Sequence, residues 1–376
     1  MGTVNYKGSE IRAASKLGLA GVDIAGWAEV HANPNRIIDP CFLHWPEGTA
    51  RSITANGQYG PALFQVGSVN PTWANIVRST DIPGGSKVPY SLHWDVQTAD
   101  TSIAAGDFYL LKYFVTGYDL ASLWNKTVAL TFWVKSARTG TFCISFANDD
   151  TSRSFVREYT INTANTWEQK TITVTLNEAT GTWLFDSGAG LEIQWAIAMG
   201  STFQGVADTW NSANDVSTAN QVNGMTADDN ITPNDFLIHA PQLNIGSVAL
   251  PFTAPAAAEI EKQVSWYARR RNLDSTAPQR FALGLCKSPP TSADFPVYFT
   301  PMRTKPTITL SAKSTWAVTG SLVTDIAPAT AVSAGNIGED SFRFIATHNA
   351  NIGAAFEAAQ LSSKTTGAWM LFDARH

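Results

Sequence analysis

TVALTFWVKSA, residues 127–137, alternates strongly apolar side chains with small, polar or aromatic ones along its length. Because successive side chains of a β-strand point to opposite faces, this period of two predicts a strand with one buried face. LEIQWAIAMG, residues 191–200, repeats the pattern, and SLHWDVQT, GTFCISFAND and KTITVTLN are further runs of the same kind. The predicted inward positions of the first two stretches are Val128, Leu130, Phe132, Val134, Leu191, Ile193, Trp195, Ile197 and Met199.

Turn-forming clusters such as PGGS, SARTG and NDDTS separate these runs at the spacing of a two-sheet antiparallel sandwich. We therefore predict an all-β chain in which a jelly-roll β-sandwich is followed by one linking helix and a smaller C-terminal β-sandwich. The predicted boundaries are 1–34 for a separate N-terminal segment, 35–254 for the jelly roll, 255–272 for the linker and helix, and 273–376 for the small C-terminal β domain.

The linking helix is predicted from AEIEKQVSWYARRRN, residues 258–272. Ile260, Val264 and Tyr267 form one apolar stripe at helical spacing. Glutamates lie in the first turn and the basic run Arg269–Arg271 in the last, an order of charges that complements the helix dipole. The helix therefore accounts for the one basic cluster of the chain.

Residues 200–234 are polar, rich in turn formers and without either period, so they are predicted to form one long ordered loop.

Composition excludes several classes of partner. The chain has 376 residues, a formal net charge of −5 and only 15% charged residues, whereas a nucleic-acid partner requires a basic face. No apolar run approaches the roughly eighteen residues of a membrane span, so no membrane insertion is expected. Cys41, Cys143 and Cys286 are far apart and odd in number, which argues against a disulfide framework and against a Cys-x-x-Cys metal pair.

Tryptophan is the first candidate for a binding role, since a flat aromatic face can stack on the apolar face of a sugar ring. Trp94 and Trp195 share the inward phase of their strands and are predicted to be core residues. Trp133 lies on the opposite phase, and Trp73 and Trp210 lie in irregular chain, so these three are the candidate ligand-binding residues. Each has an alternative role in packing or in subunit contact.

No catalytic signature is present: neither Gly-x-Ser-x-Gly nor a Gly-Lys-Ser or Gly-Lys-Thr loop occurs, and the histidines are isolated. The adjacent carboxylates Asp149–Asp150 and Asp228–Asp229 lie in turn-rich chain and are expected to form turns, with a calcium site as the alternative for such a loop. Cys143 lies opposite the core phase of its strand without a base nearby in sequence, and we expect an inert thiol. We expect no catalytic residue, no metal ligand, no cofactor and no enzymatic activity.

NRIIDPCFLHWPEGTA, residues 35–50, resembles the start of a domain found in bacteriophage tail-fibre and related virion appendage proteins. The likeness continues in order through RSTDIPGGSKVPYSLHWDV, LLKYFVTGYDLASLWNKTVALTFWVKSARTGTFCISFAN, NTWEQKTITVTL and APQLNIGSVALPF, which look like successive blocks of a carbohydrate-binding-module-like jelly roll. The helix stretch, FPVYFTPMRTKPTITL and AWMLFDAR resemble the helix and C-terminal domain that often follow it. YGPALFQV, residues 59–66, departs from the Tyr-x-x-Asp-Arg-Trp stretch of many relatives, so no role of that Asp, Arg or Trp is carried over.

The resemblance implies a structural virion protein, a fibre or spike subunit that forms a homotrimer and contributes to binding host-surface glycans. It would be made in the host cytoplasm and displayed on the virion. Its partners would be other virion proteins, contacted through residues 1–34, further copies of itself, and host cell-surface polysaccharide. Two alternatives stay open: a glycan-depolymerising spike enzyme whose acid pair comes from carboxylates distant in sequence, and a purely architectural capsid or tail decoration protein.

Overall fold

The chain is all-β, as the alternation predicts: a jelly-roll β-sandwich is followed by a linking helix and a smaller β-sandwich. The structure is a computed structural model that describes residues 35–226, 236–272, 280–287, 291–319, 327–329, 331–347, 358–363 and 368–375. The predicted N-terminal segment, residues 1–34, and the pair Asp228–Asp229 lie outside the described residues.

The jelly roll consists of two six-stranded sheets packed face to face. Its elements in chain order are β1 (Ala50–Ser52), β2 (Phe64–Ser68), β3 (Ala74–Ser79), β4 (Ser91–Val96), β5 (Phe108–Thr116), α1 (Gly117–Leu123), β6 (Thr127–Ser136), β7 (Gly140–Ala147), β8 (Ser154–Ile161), β9 (Glu168–Thr175), β10 (Ala189–Met199), β11 (Trp210–Asn211) and β12 (Phe236–Ile245). The strand order is β1-β3-β4-β12-β6-β9 in sheet 1 and β11-β8-β7-β10-β5-β2 in sheet 2, with every neighbouring pair antiparallel.

The core between the two sheets is formed by the predicted inward side chains. All four inward residues of β6 are fully buried, and so are the first four of β10. The prediction that Met199 points inward is wrong, because a register shift between Ala196 and Ala198 reverses the alternation and places Met199 on the outer face with Leu110 and Val216. Trp94 and Trp195 are both 0% exposed, which confirms the prediction that they are core residues. The ring of Phe132 meets that of Trp195 edge-on at 5.8 Å. Each such side chain contributes roughly 1.5–3 kcal/mol through burial, so this aromatic layer is a main source of stability.

Two glycines let α1 pack directly on β10. A Cβ added to Gly190 would lie 2.7 Å from the Cα of Gly117, closer than real contacts allow. The helix is capped by Thr116, the residue before it, whose Oγ1 accepts a hydrogen bond from the backbone N–H of Asp119. Only glycine at this crossing allows the two backbones to approach so closely.

The linking helix, α2, spans Ala257–Tyr267, and its predicted apolar stripe is buried. The prediction that the helix continues through the arginines is wrong. Ala268–Asn272 forms β13, which pairs antiparallel with Trp369–Asp373, and the guanidinium of Arg270 lies 4.4 Å from the ring centre of Trp369. Strand pairing and cation–π contact with a segment about a hundred positions further along the chain outweigh a weak local helix preference.

The C-terminal sandwich consists of a three-stranded and a seven-stranded sheet, and β13 belongs to it although the predicted boundary began at 273. Its elements are β13 (Ala268–Asn272), β14 (Arg280–Cys286), β15 (Ser292–Tyr298), β16 (Thr307–Leu310), β17 (Trp316–Thr319), β18 (Ala327–Pro328), β19 (Ala331–Gly335), β20 (Ser341–Thr347), β21 (Ala358–Ser363) and β22 (Trp369–Asp373). The orders are β13-β22-β16 and β18-β17-β21-β14-β15-β20-β19. They enclose a second core around Trp316, Phe295 and Phe344.

Arginines of the C-terminal sandwich bind the jelly roll directly. The side chain of Arg375 is fully buried, forms an ion pair with Glu47 and donates a hydrogen bond of 3.3 Å to the carbonyl of Ala62. Arg303 donates to the carbonyl of Ser187. Both acceptor segments belong to the jelly roll, so the two sandwiches are held together by charged contacts near the C-terminus.

Residues 200–226 cross the outer face of sheet 2. They contain a 3-10 turn at Ser201–Phe203 and the two-residue strand β11, which pairs with the edge strand β8, so the predicted loop is not irregular throughout. The rest of the predicted loop, 227–234, lies outside the described residues.

Candidate functional site

The outer face of sheet 2 carries a row of polar side chains across four neighbouring strands. The register places Gln65 of β2 opposite Lys112 of β5, Lys112 opposite Gln194 of β10, and Gln194 opposite Ser145 of β7. Residues directly opposite one another share a face, so these four side chains lie side by side. Their chain neighbours, such as Trp195, point into the core instead. The fold thus aligns polar groups from four separate stretches of sequence.

Apolar cover borders this row on one side. Residues 200–226 press Val216 and Phe203 onto the outward residues next to the row, and the rings of Phe108 and Phe203 meet edge-on at 5.5 Å. Between the row and this cover is a cleft of about 200 Å³. Its lining consists of Asn56, Gln65, Gly67, Phe108, Leu110, Lys112, Gln194, Met199, Phe203, Asn214 and Val216.

A buried carboxylate organises the floor of the cleft. Lys112 Nζ donates a hydrogen bond of 3.0 Å to Glu192 Oε2, and Gln194 Nε2 donates one of 3.1 Å to the same oxygen. Burial raises the pKa of Glu192 above its usual value, while the ammonium of Lys112 acts in the opposite direction. Asp149, at the end of β7, adds a further negative charge that interacts with both Glu192 and Lys112.

Three buried side-chain atoms at this face have no hydrogen-bond partner within the described part of the chain: Gln194 Oε1, Ser145 Oγ and Asn214 Oδ1. Gln194 and Ser145 are 0% exposed. A buried polar group left unpaired costs about 1–3 kcal/mol, so groups of this kind in a cleft mark a place where a ligand or water supplies the missing partner. Gln194 Oε1 and Asn214 Oδ1 can only accept, and the hydroxyl of Ser145 can accept or donate. The site is therefore suited to a ligand rich in hydrogen-bond donors.

The predicted ligand residue Trp133 lies on the opposite side of the sandwich. It is half-buried on the outer face of sheet 1, directly across from His239 of β12. His239 is itself paired, with Ser86 Oγ at 2.8 Å from Nε2 and the carbonyl of Tyr90 at 2.9 Å from Nδ1. Trp167 meets the His239 ring edge-on at 5.9 Å. At this surface both ring nitrogens of His239 are therefore satisfied.

The other two predicted tryptophans occupy separate positions. Trp210 lies in β11 and contacts the rings of Phe155 and Trp183 edge-on, each at 5.5 Å, at the edge of the sandwich. Trp73 ends a 3-10 turn before β3, and its carbonyl accepts hydrogen bonds from the backbone N–H groups of Gln97 and Thr98, which follow β4. The fold brings none of the three tryptophans together and none lines the cleft. A ligand role for them stays a prediction.

The reasoning from sequence missed Gln194, Lys112 and Ser145, although a signal was present. The outward positions of β10 change from polar at Glu192 and Gln194 to alanine at Ala196. Small apolar residues at outward positions indicate that a strand is covered on its second face as well, and polar residues beside them then border the cover.

Cys143 lies under that cover and is 0% exposed. Burial raises the pKa of its thiol to about 11, with the hydroxyl of Thr218 3.7 Å from the sulfur. A protonated, inaccessible thiol is a poor nucleophile, in agreement with the expected inertness.

Of the paired carboxylates, Asp150 forms a turn as predicted, because its Oδ1 accepts from the N–H of Ser152 at 3.0 Å. In the described ranges no group of three or more His, Cys, Asp or Glu side chains could hold a metal ion.

None of the described helices has the length and apolar character needed to cross a membrane.

No family model and no curated protein matches this chain. Among solved structures, it is similar to the enzymatically active domain of tailspike protein 4 of bacteriophage CBA120, with 14% identity and a TM-score of 0.30; the match covers 52% of this chain and 21% of that one. It is also similar to TmCBM61 in complex with β-1,4-galactotriose, with 11% identity, a TM-score of 0.28 and coverage of 56% and 97%. The family 11 carbohydrate-binding module from Clostridium thermocellum, in complex with a β-1,3-1,4-mixed-linked tetrasaccharide, matches with 10% identity, a TM-score of 0.27 and coverage of 54% and 99%. Likenesses this distant say nothing about what the present chain binds.

Proposed function

We propose that this protein is a non-enzymatic virion appendage subunit whose jelly roll binds a host-surface glycan in the cleft on the outer face of sheet 2. The observation that carries the binding role is the set of buried, unpaired polar atoms at that face, above all Gln194 Oε1. Sugar hydroxyls are donors and would complete these hydrogen bonds.

The wall of the cleft supports a sugar as ligand. Phe108 and Phe203 are half-buried beside the polar row, and Met199 lies next to them. A sugar ring has an apolar face of C–H groups and a rim of hydroxyls, so one wall of aromatic rings and one floor of amides fit its two sides. A cleft of about 200 Å³ has room for about seven waters, which is suitable for one sugar residue of a chain.

The virion role rests on the ordered resemblance of about residues 33–376 to tail-fibre and related appendage proteins. In this role residues 1–34 attach the subunit to other virion proteins, and three copies assemble side by side on the particle. Deletion of residues 1–34 should abolish incorporation into particles while the remaining chain still folds. Counting copies per assembled particle, together with the mass of the free oligomer by analytical ultracentrifugation, tests both parts; undiminished incorporation or a monomeric mass contradicts them.

The binding role is tested by titrating the intact protein with fragments of host surface polysaccharide in a calorimeter. Gln194→Leu should weaken the affinity about tenfold, the value of one lost hydrogen bond of about 1.4 kcal/mol. The matched control is Trp133→Ala on the opposite sheet, for which the affinity should stay within about twofold, because additivity holds for distant sites. Thermal melting confirms folding of both variants. A loss of binding in Trp133→Ala, with none in Gln194→Leu, would move the site to sheet 1.

A second candidate, glycan cleavage, is favoured by one observation. Glu192 and Asp149 interact electrostatically, and burial raises the pKa of both, as a general acid requires. Release of reducing ends from host polysaccharide by the wild-type protein, lost in Glu192→Gln, would establish it. Binding without release leaves the non-enzymatic function. A protein that binds no glycan at all would be the purely architectural one.

A further inference from the structure

Lys112 is the one cationic side chain among the described residues that line the cleft. A free ammonium there would attract the carboxylate or sulfate of an acidic sugar. It is not free, because Nζ lies 3.0 Å from Glu192 Oε2 and the side chain of Glu192 is only 6% exposed. A contact of this length with a carboxylate that hardly reaches water is screened little by salt.

Further carboxylates surround this ion pair. Asp149 interacts with both Lys112 and Glu192, and Asp186 interacts with Asp149 in turn. The acidic groups that interact with this ion pair therefore outnumber Lys112, and they add negative charge beside it. An incoming anion would have to compete with Glu192 for the ammonium against the added repulsion of Asp149, and both effects are unfavourable.

The floor of the cleft opposes acidic ligands by a second mechanism. Gln194 lines the cleft, its amide N–H bonds Glu192, and its Oε1 is a buried acceptor without a partner among the described residues. A sugar hydroxyl can donate to this oxygen, whereas an ionised carboxylate has no hydrogen to donate. Two acceptors facing each other would leave both unpaired.

We propose that Glu192 is a specificity-determining residue: it neutralises Lys112, so that the cleft takes uncharged, hydroxyl-rich sugar residues and rejects uronic, sialic and sulfated ones. This rests on the proposed glycan binding and adds to it the chemical class of the ligand. Glu192 acts through Lys112 and Gln194, which both donate a hydrogen bond to its Oε2 atom. The same oligosaccharide should therefore bind differently when a hydroxymethyl group is replaced by a carboxylate.

The experiment compares two probes with the same linkage and length, a neutral hexose oligosaccharide and its uronic acid counterpart, titrated into the intact protein at neutral pH. The wild type should prefer the neutral probe at least about tenfold, the effect of roughly 1.4 kcal/mol. Glu192→Gln, which keeps the size of the side chain and an oxygen for Lys112 and Gln194, should shift the ratio about tenfold toward the acidic probe because the ammonium is released. This shift should shrink when salt is raised, since the new attraction is partly exposed.

Two further variants separate charge from shape. The double variant Lys112→Met with Glu192→Gln should lose the shift, because no ammonium is left to attract the acid. Asp149→Asn, at an exposed position, should shift the ratio in the same direction by about threefold, a value typical of exposed charge pairs, and thermal melting checks that the variant is folded.

A wild type that binds the acidic probe as well as the neutral one overturns the inference while the proposed binding function stands. So does an unchanged ratio in both Glu192→Gln and Asp149→Asn. A wild type that binds neither probe, nor any host glycan fragment, removes the proposed function and this inference with it.

Discussion

Arg375 should hold the two sandwiches together, and its removal should destabilise the protein strongly. Its side chain is 0% exposed and forms ion pairs with Glu47 of the jelly roll and Asp373 of β22. The guanidinium also lies 4.0 Å from the ring centre of Tyr59. Although burial lowers the pKa of Arg375, the hydrogen bonds and charges of Asp373 and Glu47 raise it above its usual value, so the group stays charged.

The perturbation is Arg375→Met, which keeps the length of the side chain and removes the charge. Loss of one partner of a buried ion pair costs about 3–5 kcal/mol, because the remaining charge is left without compensation. Glu47 and Asp373 retain 15% and 27% side-chain exposure, so water solvates them in part and the lower end of that range applies. The lost cation–π contact adds about 1 kcal/mol, and methionine recovers some apolar contact. We expect a net loss of about 3 kcal/mol in the free energy of unfolding.

The assay is urea unfolding followed by tryptophan fluorescence, because both cores contain buried tryptophans. A double-mutant cycle with Glu47→Gln isolates the contact between the sandwiches, with an expected coupling energy of about 1–2 kcal/mol. The control is Arg343→Met, whose side chain is 40% exposed and lies 3.3 Å from Asp294. An exposed pair is worth up to about 1 kcal/mol, so this variant should stay close to the wild type. Equal stabilities of Arg375→Met and Arg343→Met, or a coupling energy near zero, would refute the reasoning.

Three further outcomes are expected. Gly190→Ala should destabilise the jelly roll by about 1–3 kcal/mol in urea unfolding, because its methyl group would overlap Gly117, whereas Gly106→Ala at an open position should be close to neutral. Glu168 should protect against acid: burial works against it, but hydrogen bonds from Lys170, Thr163 and Asn162 lower its pKa to about 2. A carboxyl group whose pKa is lower in the folded state stabilises the protein at pH values above its ordinary pKa, and this stabilisation is lost as the pH falls toward about 2. The melting temperature of Glu168→Gln should therefore vary less between pH 5 and pH 2 than that of the wild type. The three buried cysteines should not react with a thiol reagent in the native protein and should all react in denaturant; rapid native labelling would contradict their burial.

The core could be predicted from sequence because it depends on local geometry. In β6, and in β10 as far as Ile197, the choice of inward face follows from the alternation alone, and Phe132 and Trp195 meet where that alternation places them. The register shift between Ala196 and Ala198 could not be predicted, and it turns Met199 outward. The end of α2 could not be predicted in this way. The stretch after Tyr267 has acceptable helix formers, and only its pairing with Trp369–Asp373, a non-local contact, makes it a strand.

The candidate site depends on a further step, which alternation cannot supply. A period of two predicts which residues point outward, but it does not predict whether another part of the chain covers them. On β10 the outward residues Glu192, Gln194 and Ala196 are buried like the core positions. Two covers produce this burial. On one side of the polar row, residues 200–226 lie over the outward side chains of Ala196 and Cys143. On the other side, Tyr59 packs against Phe114, with ring centres 6.4 Å apart, and the guanidinium of Arg375 lies over the Tyr59 ring.

The polar row is the strip that these two covers leave between them. Its depth therefore depends on the C-terminal sandwich as well as on the jelly roll, since Arg375 positions one border and residues 200–226 form the other. An outward glutamine on a bare sheet would be an ordinary solvated side chain. Gln194 becomes a buried acceptor without a partner among the described residues only because covers assembled from distant parts of the chain border it. For this reason the site can be found from the assembled fold but not from any single stretch of sequence.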